Sequence, residues 1–162
     1  MMQKVLIIGC PGSGKSTFAR ALQERTGLPL FYLDMLFHRP DRTTVSQEEF
    51  DARLRSALES PAFIIDGNYA RTLPQRLEKA DTVFWLDYPL EVCLQGVEDR
   101  RGQVRPDMPW IEEAEDPEFT EYIKTFDRDQ RPLMEASLRA CPPETLIVFK
   151  SRAEAAAYLS AL

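Results

Sequence analysis

The residues of this chain best suited to chemistry run Gly9-Cys10-Pro11-Gly12-Ser13-Gly14-Lys15-Ser16, with Thr17 next in the chain. The spacing is G-x-x-x-x-G-K-[ST], set between the apolar run Val5–Ile8 and a helix-compatible stretch from Thr17 to Arg25. Such a loop holds phosphate because successive backbone N–H groups converge on an anion at a helix N-terminus, where the helix dipole adds favourable potential. Glycine at 9, 12 and 14 permits the tight path and keeps side chains away from the anion. Lys15 is placed for the β- and γ-phosphates, and the Ser16 hydroxyl for Mg²⁺. The nucleotide-binding set is therefore Gly9, Cys10, Pro11, Gly12, Ser13, Gly14, Lys15, Ser16 and Thr17, and the bound species a nucleoside triphosphate. A thiol at a helix N-terminus can have a lowered pKa, but Cys10 reads as the filler of a small-residue slot.

Three aspartates come directly after apolar runs: Asp34 after Phe31-Tyr32-Leu33, Asp66 after Phe63-Ile64-Ile65, and Asp87 after Phe84-Trp85-Leu86. A carboxylate at a strand end beside a phosphate loop can hold Mg²⁺ or accept a proton from a substrate hydroxyl. Asp66-Gly67-Asn68 suits the metal, reached through water; Asp34 suits the acceptor; Asp87, ahead of Tyr88-Pro89, suits a helix cap. Guanine readers carry an Asn-Lys-x-Asp element, and the single asparagine, Asn68, is followed by tyrosine. The chain is also short for an AAA-type motor with a helical lid domain. Phosphoryl transfer to a small acceptor remains, and it needs cationic side chains that close over the transferring group. Arg100, Arg101, Arg105, Arg128 and Arg131 flank an acidic, proline-containing excursion from Gly102 to Pro117 and are placed to supply them.

The elements that must position these residues alternate. Strand-length apolar runs stand at Val5–Ile8, Leu30–Leu33, Phe63–Ile65, Val83–Leu86 and Leu146–Phe149, continuous as in strands buried on both faces. Between them lie helical patterns. Ser46 with Glu49, and Ser151 with Glu154, form capping boxes; Pro89 suits a first helical turn; Phe119, Tyr122, Ile123 and Phe126 share one helical face. The alternation predicts a single α/β domain over 1–162, a three-layer sandwich on a parallel sheet with ligands at the strands' carboxyl ends. An acceptor-binding region is expected over roughly 34–60 and a lid over roughly 100–131.

Composition excludes other classes. The chain has 162 residues, 44% hydrophobic and 28% charged, the balance of a globular domain. A net charge of −6 argues against direct nucleic-acid binding. No apolar stretch approaches the ~20 residues of a membrane helix, and no leader precedes the first strand. Cys10, Cys93 and Cys141 show no metal spacing and read as reduced thiols of a cytoplasmic protein. A monomer or homodimer is expected. His38 reads as a packing or surface residue, Arg39 and Arg42 as solvent-facing or acceptor contacts, and Trp110 as lid packing or a ligand contact.

Taken together, Gly9–Ser16, Leu33-Asp34, Ile65-Asp66-Gly67-Asn68-Tyr69, Leu86-Asp87-Tyr88-Pro89, Arg105-Pro106-Asp107-Met108 and the Glu118–Phe126 segment resemble the small adenylate-kinase-like proteins labelled topology modulation proteins. The resemblance covers nearly the whole chain. It implies a P-loop fold of the nucleoside monophosphate kinase type, strand order 2-3-1-4-5, a lid and an acceptor-binding region. It implies Asp66 on the metal side, Arg100 and Arg105 as lid arginines, and Arg128 or Arg131 as the arginine of the next helix. Two positions depart from such kinases: Gly96 stands where an arginine lies against adenine, and Asn68-Tyr69-Ala70-Arg71 replaces Phe-Pro-Arg, shifting the acceptor-phosphate arginine by one residue. Two functions are compatible with these residues. One is an ATP- and Mg²⁺-dependent phosphotransferase acting on a small molecule, with Lys15, Asp34, Arg100, Arg105, Arg128 and Arg131 catalytic and Ser16 and Asp66 at the metal. The other is a nucleotide-responsive regulator without useful phosphotransfer.

Overall fold

Each of the five apolar runs becomes a strand. The computed structural model describes residues 2–162. β1 (Lys4–Gly9), β2 (Leu30–Tyr32), β3 (Phe63–Asp66), β4 (Thr82–Leu86) and β5 (Thr145–Phe149) pair in parallel in the order β2-β3-β1-β4-β5. Parallel pairing needs crossovers, which the chain makes with α1 (Lys15–Thr26), α2 (Leu33–Phe37), α3 (Gln47–Leu58), α4 (Leu73–Leu77), α5 (Leu90–Arg100), α6 (Pro117–Lys124), α7 (Phe126–Asp129) and α8 (Arg131–Ala140), while α9 (Arg152–Ser160) follows the last strand.

The period-two geometry of β1 divides the core. Leu6 and Ile8 face one layer with Phe50 and Leu54 of α3, Leu73 and Leu77 of α4, and Met134 and Leu138 of α8. Val5 and Ile7 face the other with Phe18 and Leu22 of α1, Cys93 of α5 and Ala155 of α9. This is the three-layer α/β sandwich of a P-loop NTPase. The serine half of each capping box forms: Ser46 Oγ accepts from the Glu49 N–H at 3.1 Å and Ser151 Oγ from the Glu154 N–H at 3.2 Å. The glutamates turn elsewhere, Glu49 to Arg39 and Arg53 and Glu154 to the Lys150 N–H.

Four expectations are corrected. β2 stops at Tyr32, and Leu33 and Asp34 begin α2, so Asp34 is a helical residue rather than a strand end. β5 is an edge strand with Leu146 and Val148 exposed, so its continuous apolar run does not mean burial on both faces. The Phe119–Phe126 face is split at Thr125 between α6 and α7, and its ends enter different layers, Ile123 with α1 and Phe126 with α3. Asp87 caps nothing. α5 begins after Pro89 with no side-chain cap, and the Asp87 carboxylate, only 8% exposed, receives hydrogen bonds from Arg131 and Lys150.

That ion pair ties α8 and the end of β5 to the end of β4, and the Arg131 guanidinium also lies 4.9 Å from the Trp85 ring. Burial works against ionisation of Asp87, yet the hydrogen bonds from Arg131 and Lys150 prevail and hold its carboxyl below the usual range. Its stabilisation is therefore complete above the ordinary carboxylate pKa of about 4 and is lost as pH falls through the lowered value. Arg131→Ala should cost about 1–3 kcal/mol in urea unfolding at pH 7. The gap from the parent protein should close toward pH 2; an equal gap at both pH values would mean that Arg131 acts only through packing.

Candidate active site

At the carboxyl ends of the strands a cavity of about 930 Å³ opens between the phosphate loop, the loop after β3 and the segment after α5. The phosphate loop leaves β1 at Gly9 and enters α1 at Lys15. Gly12, Gly14, Lys15, Ser16 and Thr17 all line the cavity. Lys15 Nζ donates to the Cys10 carbonyl at 3.3 Å, and Ser16 Oγ accepts from Arg20 at 3.3 Å. The neighbouring Cys93 thiol and burial push the Cys10 thiol up, opposite to the helix-terminus expectation; Cys10 is a protonated filler.

The loop is held from below by residues that the motif does not contain. Asn68 Oδ1 accepts from the Gly9 N–H at 2.9 Å while its Nδ2 donates to the Gly9 carbonyl, clamping the first residue of the phosphate loop to the loop after β3. That second loop is itself organised by Arg76 of α4, which has no solvent exposure. Its guanidinium donates to the carbonyls of Gly67 at 3.1 Å, Asn68, and Tyr69 at 3.2 Å, and to Thr72 Oγ1 at 3.2 Å. Burial lowers the Arg76 pKa to about 9, with Asp66 opposing. Tyr69, at φ 35°, then points its hydroxyl to Asp34 Oδ1 at 2.5 Å. Burial and the Asp34 charge push the Tyr69 phenol well up, so it stays a donor.

Helix α5 reaches the loop by backbone contact. A Cβ on Gly96 would lie 2.0 Å from the Gly12 carbonyl oxygen, and one on Gly12 would lie 2.0 Å from the Cys93 carbonyl oxygen. This is the physical reason for glycine at 96: no side chain, arginine included, fits between helix and loop. A guanidinium comes from elsewhere. Arg152, the first residue of α9, lines the cavity, donates to the Gly12 carbonyl at 3.2 Å and lies 5.9 Å from the Tyr88 ring. Nothing in its sequence neighbourhood marks it beyond the capping box that opens its helix.

Asp66 ends β3 at 6% exposure, and its Oδ1 has no hydrogen-bond partner. Burial raises its pKa to about 7, with Lys15 opposing and Asp34 and Asp107 adding to the rise. An orphaned buried carboxylate oxygen on a cavity that the Ser16 hydroxyl also lines fits a hard divalent cation. Among the described residues no three His, Cys, Asp or Glu side chains converge as a cage. The donor set therefore suits Mg²⁺, which retains waters and leans on substrate phosphates.

The predicted arginines separate into two groups. Arg100 and Arg105 line the cavity. Burial, with Arg105 adding, lowers the Arg100 pKa, and its Nε is buried without a partner. Arg105 pairs with Glu112 at 3.0 Å and Asp107 at 3.6 Å. Arg128 and Arg131 do not line the cavity: Arg128 is exposed on Asp129, and Arg131 is committed to Asp87 and Asp127. Carboxylates outside the cavity, not the cavity itself, hold both guanidinium groups. The excursion after α5 closes on itself where the Gly102 N–H meets the Glu112 carbonyl at 2.6 Å, and Trp110 packs edge-on against His38 at 5.0 Å.

The chain is similar to known proteins in sequence and in fold. A family model described as AAA domain matches residues 5–121. An adenylate kinase from Thermotoga neapolitana is 29% identical over 96 residues, covering 57% of this chain and 43% of that protein. This chain thus spans less than half the length of that relative. A cytidylate kinase from Methanopyrus kandleri is 29% identical over 152 residues, covering 80% of this chain and 79% of that protein. Among solved structures, the shikimate kinase from Bacteroides thetaiotaomicron has a TM-score of 0.68 at 16% identity, covering 99% of this chain and 96% of that chain. The shikimate kinase from Acinetobacter baumannii in complex with shikimate has a TM-score of 0.63 at 18% identity, covering 99% and 93%. The chain belongs to the AAA domain family of that model. The match runs from β1 into α6, and α7, α8, β5 and α9 complete the same sandwich beyond it.

Arg76→Lys keeps a cation but cannot span three carbonyls, and should cost about 2–4 kcal/mol in chemical unfolding while weakening ATP binding. Gly96→Ala should lower stability by about 1–3 kcal/mol through overpacking and weaken ATP binding at least roughly tenfold by calorimetry. Unchanged affinity in Gly96→Ala would show that the helix–loop contact does not shape the phosphate site.

Proposed function

We propose that this P-loop member of the AAA domain family is an ATP- and Mg²⁺-dependent phosphotransferase acting on a small hydroxyl-bearing acceptor. The observation that carries the reading is the single cavity onto which Lys15, Ser16, Asp34, Asp66, Arg100 and Arg105 all open. In this reading the loop amides from Gly12 to Thr17 and Lys15 hold the β- and γ-phosphates. Arg152, with its guanidinium on the Gly12 carbonyl, supplies the cation that Gly96 cannot carry. Ser16 and Asp66 hold Mg²⁺, which when bound draws charge from the phosphate oxygens. Tyr69 occupies one oxygen of Asp34 and leaves the other for the acceptor hydroxyl. Asp34 takes the hydroxyl proton as the acceptor oxygen bonds to the γ-phosphorus and the bond to the β–γ bridging oxygen breaks, releasing ADP. Arg100 and Arg105 cover the negative charge on the transferring group. A buried, poorly neutralised guanidinium such as Arg100 favours an anion more strongly than a solvated one.

The resemblance to topology modulation proteins and the likeness to adenylate and cytidylate kinases support a kinase-type reaction and leave its acceptor open. The reading includes a cytoplasmic location, a monomer or homodimer, and no direct contact with nucleic acid, consistent with the −6 charge. No helix among the described residues is long and apolar enough to cross a membrane.

Coupled-assay ATP consumption across nucleosides, nucleotides, sugars and hydroxy acids should reveal an acceptor-dependent rate. In that assay Arg100→Ala should lower kcat by about 10³-fold or more, while Arg128→Ala should stay within a few-fold of the parent. Tight ATP binding without stimulation by any acceptor would instead identify a nucleotide-responsive regulator.

A further inference from the structure

Five arginines surround the acceptor end of the cavity, and among the described residues none of the five lines it. Arg71, one residue from the position expected to meet an acceptor phosphate, grips Asp51 with two hydrogen bonds of 2.8 and 3.3 Å on the outer face. Arg76 directs its guanidinium to Thr72 and the three carbonyls beneath the site. Arg39 and Arg53 both bind Glu49, each at 3.1 Å. Arg42 lies 5.9 Å from the Trp110 ring and donates to the Ile111 carbonyl at 3.5 Å.

The side chains that do face the cavity here are Tyr32, Asp34, His38, Asn68 and Tyr69. The set holds one carboxylate, two phenols, an amide and an imidazole. His38 Nδ1 is buried with no partner, and its Nε2 stands 4.0 Å from Asp34 Oδ1. The cations that do reach the cavity are Lys15, Arg20 and Arg152 around the phosphate loop, with Arg100 at the end of α5 and Arg105 just after it. Arg100 feels the Asp34 charge, and in the phosphotransferase reading it and Arg105 are taken up by the transferring phosphate. A second phosphate or a carboxylate at the acceptor end would meet the Asp34 charge, and no arginine beyond Arg100 and Arg105, which the transferring phosphate occupies, lines the cavity near it to receive a second anion. A hydroxyl group can donate to Asp34 and meet the Tyr32 phenol and the unpartnered His38 imidazole nitrogen.

Resting on the phosphotransferase reading, we propose that the acceptor is an uncharged polyhydroxy compound, of the free sugar or nucleoside kind, and that the site discriminates against nucleoside monophosphates, sugar phosphates and carboxylates. Asp34 supplies the discrimination, and the outward commitment of Arg71 removes the group that would have countered it.

The test uses matched pairs that differ only in the anion: adenosine and AMP, cytidine and CMP, ribose and ribose 5-phosphate, and shikimate methyl ester and shikimate. Binding is measured by calorimetry to the full chain saturated with Mg²⁺ and a non-hydrolysable ATP analogue. At least one neutral compound should bind, tenfold or more tighter than its anionic partner, and the identity of that pair separates sugar from nucleoside. In Asp34→Asn, which keeps the size and the Tyr69 contact, the gap should narrow at least threefold. Tighter binding of any anionic member, no binding by any neutral member, or a gap unaltered in Asp34→Asn would overturn the proposal. Phosphate transfer is scored separately: selective binding of a neutral compound without transfer leaves this assignment standing and removes the phosphotransferase reading.

Discussion

A guanidinium with no access to water, that of Arg76, holds three consecutive carbonyl groups after β3, and the rest of the site is referenced to it. The loop from Gly67 to Tyr69 has no regular ladder to satisfy its carbonyls, so an unpaired version of it would be costly at this depth. With Arg76 in place, Asn68 faces the Gly9 backbone and Tyr69 faces Asp34. One buried cation thus sets where the phosphate loop begins and how the Asp34 carboxylate is held. Asp66, at the head of the same loop, is the nearby charge that favours the Arg76 cation.

The second constraint is distance between backbones. Gly12 and Gly96 allow α5 to lie directly against the phosphate loop. An arginine at position 96 could not share this contact, and the guanidinium that reaches the loop comes from α9 as Arg152. Side-chain packing of this kind is discrete, because interiors near close-packed density do not admit both arrangements at once.

Charge in the cavity is arranged along its length. Lysine and arginine gather around the phosphate loop and the segment after α5, with Asp34 and Asp66 lining the same cavity after β2 and at the end of β3 and Asp107 paired beside Arg105. Burial raises Asp66 and lowers Arg100, so the surroundings disfavour the charged form of each. That penalty is what a bound triphosphate with a divalent cation would relieve, and it is a feature of sites rather than of cores.

Much of this was legible in the chain. The phosphate loop is contiguous, its chemistry depends on backbone geometry over a few residues, and its flanks announce a strand and a helix. The five apolar runs, both capping boxes and the placement of Asp66 obey local rules of the same kind. The features that escaped were long-range: β5 looked buried on both faces because its run is continuous, yet an edge position leaves Leu146 and Val148 exposed. Asp34 looked like a strand end because helix α2 is too short to show a period. Arg131 looked like a lid residue, yet its guanidinium is held by Asp87, whose carboxylate lies 44 positions away in sequence. Arg76 and Arg152 carry no motif, and Asn68, though it stands in Asp66-Gly67-Asn68-Tyr69, gives no sign of its clamp on Gly9; the partners of Asn68 and Arg152 lie on the distant phosphate loop, and those of Arg76 are backbone carbonyls that no side-chain pattern marks. The sequence alone determined the ligand class, since converging N–H groups, a lysine and a hydroxyl at fixed spacing form one local structure. Tertiary structure decided which charges face the cavity and which are neutralised outside it, because pairing between distant side chains depends on where the elements pack.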